Sequence, residues 1–479
     1  MAERRLHLIL PVLFLLLAGQ LGIMLALTVP VGAVADEHAH ALKADSLLHG
    51  EIQGHRKLMR VLGGSWRMQQ VVDGDAGLQA VSGDPSPRPY TSARWAALEA
   101  QPWLGPTAFS FGTIASYWPV FYLPAAAAFE AAKIAGLRPL HAFHYARLAD
   151  LAVFLALGTA ALLVARRGQM LLFCTLAMPM SVSLGASLNQ DGLIIASSAL
   201  AMALLTRPTT AIGLASIWRD TPRLLAAALI GSIALTKPPY LPLAGMLLLP
   251  LPAWKLRRVW GERVGLGLIV TAATLAWAWL TVRNVATPVY WGQAEAGPLW
   301  PGPRPAMFPG TDMAAQLQVL MAKPSRFLKL PWRSLRSTPY IWDEAIGALG
   351  SLDVWLPRWL YRLWTGALAA AVLGDLIWRR PDAAMLPRRQ AAWPLLLIVV
   401  IWLGIYLSQY LTWSRVGAEL VDGPQGRYFL PLLPVLALAL PGLGNLPRLR
   451  VALTALPVAA CVAGAAILPS ILVRFYYLH

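Results

Sequence analysis

Two cysteines in 479 residues leave no material for a disulfide framework or a thiolate metal centre, and both, Cys174 and Cys461, fall inside apolar runs. Charge is also scarce. Asp, Glu, Lys and Arg supply 13% of the chain against 57% apolar residues, and mean hydropathy is +0.56; a soluble protein of this size could not cover its surface from such a composition. The familiar soluble-enzyme signatures are missing too: no Gly-Lys-Ser/Thr phosphate loop, no nucleotide glycine fingerprint, no Gly-x-Ser-x-Gly elbow and no His-Glu-x-x-His. Acid is the scarcer sign, 23 residues against 40 basic. The excess base does not form a stripe with interleaved aromatics, so no nucleic-acid partner is expected.

What is present is a series of apolar runs with basic clusters between them: Arg4-Arg5, Arg166-Arg167, Arg219 to Arg223, Lys255 to Arg258, Arg379-Arg380 with Arg388-Arg389, and Arg448 to Arg450. That is the positive-inside pattern of a polytopic protein partnered by a lipid bilayer. The fold expected is all-α, with about 11–13 transmembrane helices and additional helices in the external loops. Residues 1–282 read as an N-terminal transmembrane module containing a first external loop at 31–110, residues 283–357 as an external segment, and 358–479 as C-terminal transmembrane helices. Arg4-Arg5, an apolar core and Ala33-Val34-Ala35 imitate a cleavable signal, but the run exceeds twenty residues and is long enough to span about 30 Å of hydrocarbon, so it is read as a retained span.

Placing the basic clusters inside puts every unusual polar motif on the other face. The parity closes only if Ile114 to Ile134 enters and leaves on one side or a neighbouring span is broken; Lys133 and Arg138 favour a true crossing. Between Leu42 and Leu62, leucines recur at loosely helical spacing, which predicts one or two amphipathic helices on the membrane surface. Gly83 to Pro89 reads as a turn-rich loop.

Asp36-Glu37-His38-Ala39-His40 follows directly on the first apolar run, and ionisable groups clustered at a bilayer boundary point to function. Asp36 and Glu37 are candidate general base and substrate-orienting groups; the plainer alternative is a polar flank that ends the helix. His38 and His40 lie two apart, on different helix faces, so a shared metal is not implied. Asp191 either pairs with a base or caps the helix beginning at Gly192. Lys237, before two prolines, either snorkels or meets a phosphate. In Gly423-Pro424-Gln425-Gly426-Arg427-Tyr428 a tight turn presents Arg427 as an anion clamp or, more blandly, an interfacial Arg-Tyr anchor. Trp291, Trp300, Trp332, Trp342 and Trp355 in the external segment suit either sugar stacking or a membrane-interface belt.

An acidic pair after the first span, a Tyr/Pro-rich approach to the next apolar segment, and external polar motifs between later spans resemble the GT-C superfamily of membrane glycosyltransferases. More closely, Asp36-Glu37-x-x-His40, Tyr117-x-Pro119-x-x-Tyr122-x-Pro124, Arg147, Asp191, Lys237-Pro238-Pro239-Tyr240, Gly350-Ser351-Leu352-Asp353 with Pro357, and Gln425-Gly426-Arg427-Tyr428-Phe429-x-Pro431 resemble the bacterial membrane family called domain of unknown function 2142. His38, where a small residue or proline is expected, and Ser351, where an aromatic is commoner, depart from that pattern. The resemblance implies a transferase in the bacterial cytoplasmic membrane, with its active face periplasmic or extracellular. It implies transfer of a sugar from a polyprenyl-phosphate donor to a glycan or lipid acceptor, with Asp36 and Glu37 catalytic and His40, Tyr117, Tyr122, Asp191, Lys237, Tyr240, Asp353, Gln425, Arg427 and Tyr428 lining the substrate site. No cofactor is fixed by it, and a divalent cation remains open. A transporter or flippase of a lipid-linked saccharide is the alternative; it would bury its polar residues mid-span.

Overall fold

Inside hydrocarbon a backbone can satisfy its own polar groups only as a helix or a closed barrel, and this chain uses helices. In the computed structural model the described residues are all but 1, 61–63, 84–88, 208–219, 251–256, 290–295, 302–309, 378–389, 441, 443, 445 and 479. Lys255, Trp291, Arg219, the basic residues at 379–380 and 388–389, and most of the Gly83–Pro89 turn therefore lie outside the described residues. Among the described residues, five helices are long and apolar enough to cross a bilayer unaided: His7–Thr28, Pro139–Val164, Arg257–Asn284, Ala392–Thr412 and Pro447–Tyr477. Leu15, Leu16, Ile23, Leu268, Ile269 and Leu275 point outward from them and are exposed, as lipid-facing side chains are.

The other apolar segments are shorter or broken, and proline is the common cause, since it removes an N–H that an α-helix would use. Pro179 separates Gln169–Ala177 from Pro179–Gly185. Pro238–Leu248 is a 3-10 helix containing Pro242, and Gly426–Leu432 is another, containing Pro431 and leading into the helix Leu433–Ala439.

End contacts fix the direction of each segment. At one face, Arg147 binds the carbonyls of Ala26, Val29 and Pro30, and Tyr477 donates to Thr28 O. At the opposite face, Gln169 donates to His7 O, the amide of Arg166 donates to Thr206 Oγ1, and Asp375 accepts from the amides of Met170 and Leu171. The chain reaches the first face at Thr28, Gly185, Thr236, Asn284, Thr412 and Tyr477, and the second at Val164, Leu205, Leu248, Leu376 and Ala439. The alternation is unbroken, as the polytopic all-α expectation requires.

It is unbroken because Ile114–Ile134 does not cross. The segment consists of two 3-10 turns, Gly112–Ser116 and Pro119–Tyr122, and the helix Leu123–Ile134 of 12 residues. Both its ends touch one external helix, Glu37–Ser46: the Tyr122 hydroxyl lies 2.7 Å from His40 Nδ1, and Lys133 Nζ lies 2.7 Å from Asp45 Oδ1. The crossing favoured by Lys133 and Arg138 is thus overturned; Lys133 is held by an acid of the external lobe, and Arg138 donates to Ala100 O.

The external lobe corrects a second expectation. Only Glu37–Ser46, with a 3-10 turn at Leu47–His49, is helical where a longer run was expected. His55–Arg60, Trp66–Asp75 and Pro106–Ser110 form a three-stranded antiparallel sheet in chain order, with His55 opposite Val71 and Val72 opposite Phe109. The leucine spacing straddles two elements: Leu42 is buried beneath the sheet, whereas Leu58 is 54% exposed on its edge strand. Two short elements in succession imitated one helical period.

Candidate active site

The site begins with Arg147, fully buried in the helix Pro139–Val164. The last carbonyls of any helix lack intrahelical partners. Here the Arg147 guanidinium serves one of them, Ala26 O at 3.1 Å, and the two carbonyls just past the helix end, Val29 O at 2.6 Å and Pro30 O at 3.0 Å. The same group grips Glu37 at two points, Nε to Oε1 at 2.7 Å and Nη2 to Oε2 at 2.6 Å. Glu37 also accepts the amides of Gly32 (3.1 Å) and Leu188 (3.2 Å). Its carboxylate is buried with both oxygens engaged. Expected beside Asp36 in substrate handling, Glu37 instead faces inward and ties the first span to the external helix.

Asp36 faces the other way because its own backbone turns. At φ +63° it occupies the left-handed region, costly for a residue with a side chain, and its carbonyl is fixed by the amides of Ala39 (3.0 Å) and His40 (3.1 Å). Its carboxylate meets Arg427, Oδ2 to Nη2 at 2.5 Å. Asp36 is 50% exposed and Arg427 only 2%, so the acid forms the mouth of the site and the guanidinium its floor. Arg427 Nη1 donates to Ala35 O (3.3 Å), Nε faces Asp191 Oδ2 at 3.4 Å, and Lys237 Nζ donates to the other oxygen of Asp191. Acid and base alternate in a line: Asp36, Arg427, Asp191, Lys237. Of the alternatives at Asp191, the structure shows the pairing with base; it is the first helical residue, and Gln190 holds the N-cap position. Lys237 points into the cluster, its Nζ 4.6 Å from the Tyr428 ring centre, with Arg427 at 5.5 Å from the same ring.

Neighbouring elements hold this line in place. Gly426 has no room for a side chain, since a Cβ there would lie 2.3 Å from the amide of Ala345; this lets the helix Ile341–Gly347 press onto the turn carrying Arg427, and Glu344 accepts the Gly426 amide at 2.9 Å. Tyr240 is a fastener, its hydroxyl donating to Tyr428 O at 2.6 Å. Asn189 donates to Ala35 O (3.0 Å) and accepts the Asp191 amide (3.0 Å). Sequence gave no signal for the part played by Glu344, because its partner lies 82 residues away.

His40 is buried between Tyr117 and Tyr122, with ring centres 6.3 and 5.7 Å away. Burial, outweighing the attraction of Asp36 and Asp191, pushes its imidazole down to about 3, so it is neutral near pH 7. Burial likewise pushes the Tyr117 phenol up. At Asp36 desolvation pushes the carboxyl up, but Arg427 and its neighbours pull harder, leaving it below the ordinary carboxylate value. The Gln425 Oε1 beside this line is buried without a hydrogen-bond partner. Asp353 lies one layer back: it accepts the Ser351 amide (3.0 Å) in a turn whose Gly350 carbonyl receives the Ala35 amide (3.1 Å). Trp332, Trp342 and Trp355 are exposed on the external segment; Arg336 lies over the Trp332 ring, Trp342 donates to Thr365 Oγ1, and Trp355 meets Tyr340 edge-on, contacts within that segment and to the helix after it. Among the described residues, one group could share a cation: Glu51, His55 and Asp73 on the external lobe, where Glu51 already accepts from His55 (2.7 Å) and from the Asp73 amide (2.7 Å).

The sequence profile of a family described as "Predicted membrane protein (DUF2142)" matches residues 20–436. The chain belongs to that family. The matched stretch contains the whole line from Asp36 to Arg427, so the cluster lies within the family's common region. No curated protein matches the chain. Among solved structures, the crystal structure of ArnT from Cupriavidus metallidurans in the apo state is similar over 96% of this chain and 79% of that chain, at 16% identity and a TM-score of 0.33.

Proposed function

We propose that the protein is a membrane glycosyltransferase that moves a sugar from a polyprenyl-phosphate carrier to a hydroxyl of an envelope glycan or lipid, at the face onto which Asp36 opens. The observation that carries this reading is the contact between a half-exposed carboxylate and a buried guanidinium at the ends of the spans. That is the level at which a lipid phosphate lies, with its chain in the bilayer and its sugar toward water.

In the reaction the acceptor oxygen attacks the anomeric carbon while its proton passes to an Asp36 oxygen. The bond from the anomeric carbon to phosphate oxygen breaks, and its electron pair leaves with the polyprenyl phosphate. Arg427 stabilises the charge that grows on that phosphate, supported by Lys237; a positioned base contributes about 10²–10⁴-fold, and preorganised cations a comparable factor. Such a donor needs no nucleotide site. The polar line sits at segment ends, which suits transfer at the interface better than passage through the bilayer.

The test is purified protein incubated with a panel of polyprenyl-phosphate sugars, with and without chelator. Release of polyprenyl phosphate from one donor is expected, lost in Arg427→Ala. The chelator arm is expected to match the control, because Arg427 and Lys237 already neutralise Asp36 and Asp191. No release from any donor by the wild type would overturn the reading.

A further inference from the structure

Asp36 stands between the Arg427 guanidinium and solvent, half-exposed over a group that is only 2% exposed. Arg427 Nη1 is turned to Ala35 O and its Nε to Asp191, both in the floor of the site, while Nη2 faces Asp36 on the side open to solvent. The approach a phosphate oxygen would use is the one Asp36 occupies. Lys237 lies behind Asp191, its ammonium on that carboxylate and over the Tyr428 ring. The four side chains already balance, two positive against two negative, so a phosphate that simply added itself would leave the line with uncompensated negative charge in surroundings of low dielectric.

From this, and resting on the transferase reading above, we infer that Asp36 is an internal competitor for the donor phosphate: it holds Arg427 until a lipid phosphate displaces it, and becomes free to accept a proton only once the donor is seated. The exchange is one anion for another at the same guanidinium. It needs no backbone movement, since the Asp36 carbonyl stays anchored by the Ala39 and His40 amides; the side chain alone rotates toward solvent. The consequence is an order of events in which the donor binds first and the base is released next, so the acceptor is activated only when a sugar is present to receive it. Asp36 thus acts twice, as the base and as the gate to the base.

The experiment measures binding of undecaprenyl phosphate to the full-length protein in lipid nanodiscs, comparing wild type with Asp36→Asn, Asp36→Gly and Arg427→Ala. Asn and Gly both accept a left-handed backbone, so the turn survives either change, and agreement between them separates loss of the carboxylate from loss of the fold. Both Asp36 variants are expected to bind roughly two- to fivefold tighter than wild type, the range for removing a partly exposed ionic competitor, and Arg427→Ala to bind at least about tenfold more weakly. Binding by both Asp36 variants no tighter than wild type, with the Arg427 variant still impaired, overturns the gate and leaves the transferase reading standing. Failure of the wild type to bind the lipid phosphate overturns both.

Discussion

Asp36 and Glu37 are adjacent and chemically alike, yet one backbone angle at Asp36 gives them separate roles. Glu37 is half of a buried pair with Arg147, and breaking such a pair from one side typically costs about 3–5 kcal/mol because a charge is left unpaired. Arg147→Ala is therefore expected to lower thermal stability severely and reduce the yield of folded protein, since it strands Glu37 and leaves the carbonyls of Ala26, Val29 and Pro30 without the guanidinium; a melting scan of the purified variant measures this. At His40 the expectation concerns pH. An imidazole pushed down to about 3 by burial is neutral at every pH above that, so its protonation changes nothing between pH 5 and 8. The pH–rate profile should show no limb near pH 6.5 attributable to His40, and His40→Gln should change the height of the profile but not its shape. Asp36, held below the ordinary carboxylate value, is in its base form throughout the same range, so activity should fall with acid only below it. Sequence made Asp36 and Arg427 legible because charge at a bilayer boundary is costly. It could not reveal that Glu37 turns away, because side-chain direction after a left-handed residue leaves no trace in composition or spacing.

Short elements without side-chain room set the geometry above that scale. Gly426→Ala places a methyl 2.3 Å from the Ala345 amide, so the turn bearing Arg427 must shift; overpacking of this kind costs about 1–3 kcal/mol. The variant is expected to fold while its KM for the donor rises, with the fall in kcat smaller, and steady-state kinetics over a donor titration separate the two. Helices with a full apolar run, such as His7–Thr28, were readable from length alone. The external sheet was not: leucines from the helix Glu37–Ser46 and the strand His55–Arg60 fell at intervals that imitate one helix, and only the pairing of His55–Arg60 with Trp66–Asp75 separates them.

For the whole molecule, the basic clusters gave a topology with one ambiguity, and contacts resolve it, since the segment ending in the helix Leu123–Ile134 is bound near both its ends by the one helix Glu37–Ser46. Single cysteines placed at Glu51 and Glu130 should label with an impermeant thiol reagent from the same side of sealed vesicles, and one at Arg166 from the other; the native Cys174 and Cys461 are buried and should stay silent. Labelling of residues 51 and 130 from opposite sides would restore the crossing. The cooperation of distant segments matters more. Residues 36, 191, 237 and 427 come from four parts of the chain and converge only because the turns between spans meet at one face. The measurement that tests this convergence most directly is the single-turnover transfer rate of Asp36→Asn against wild type, at donor concentrations that saturate both. The account predicts a fall of about 10²–10⁴-fold with donor binding retained; equal rates at equal occupancy would contradict it.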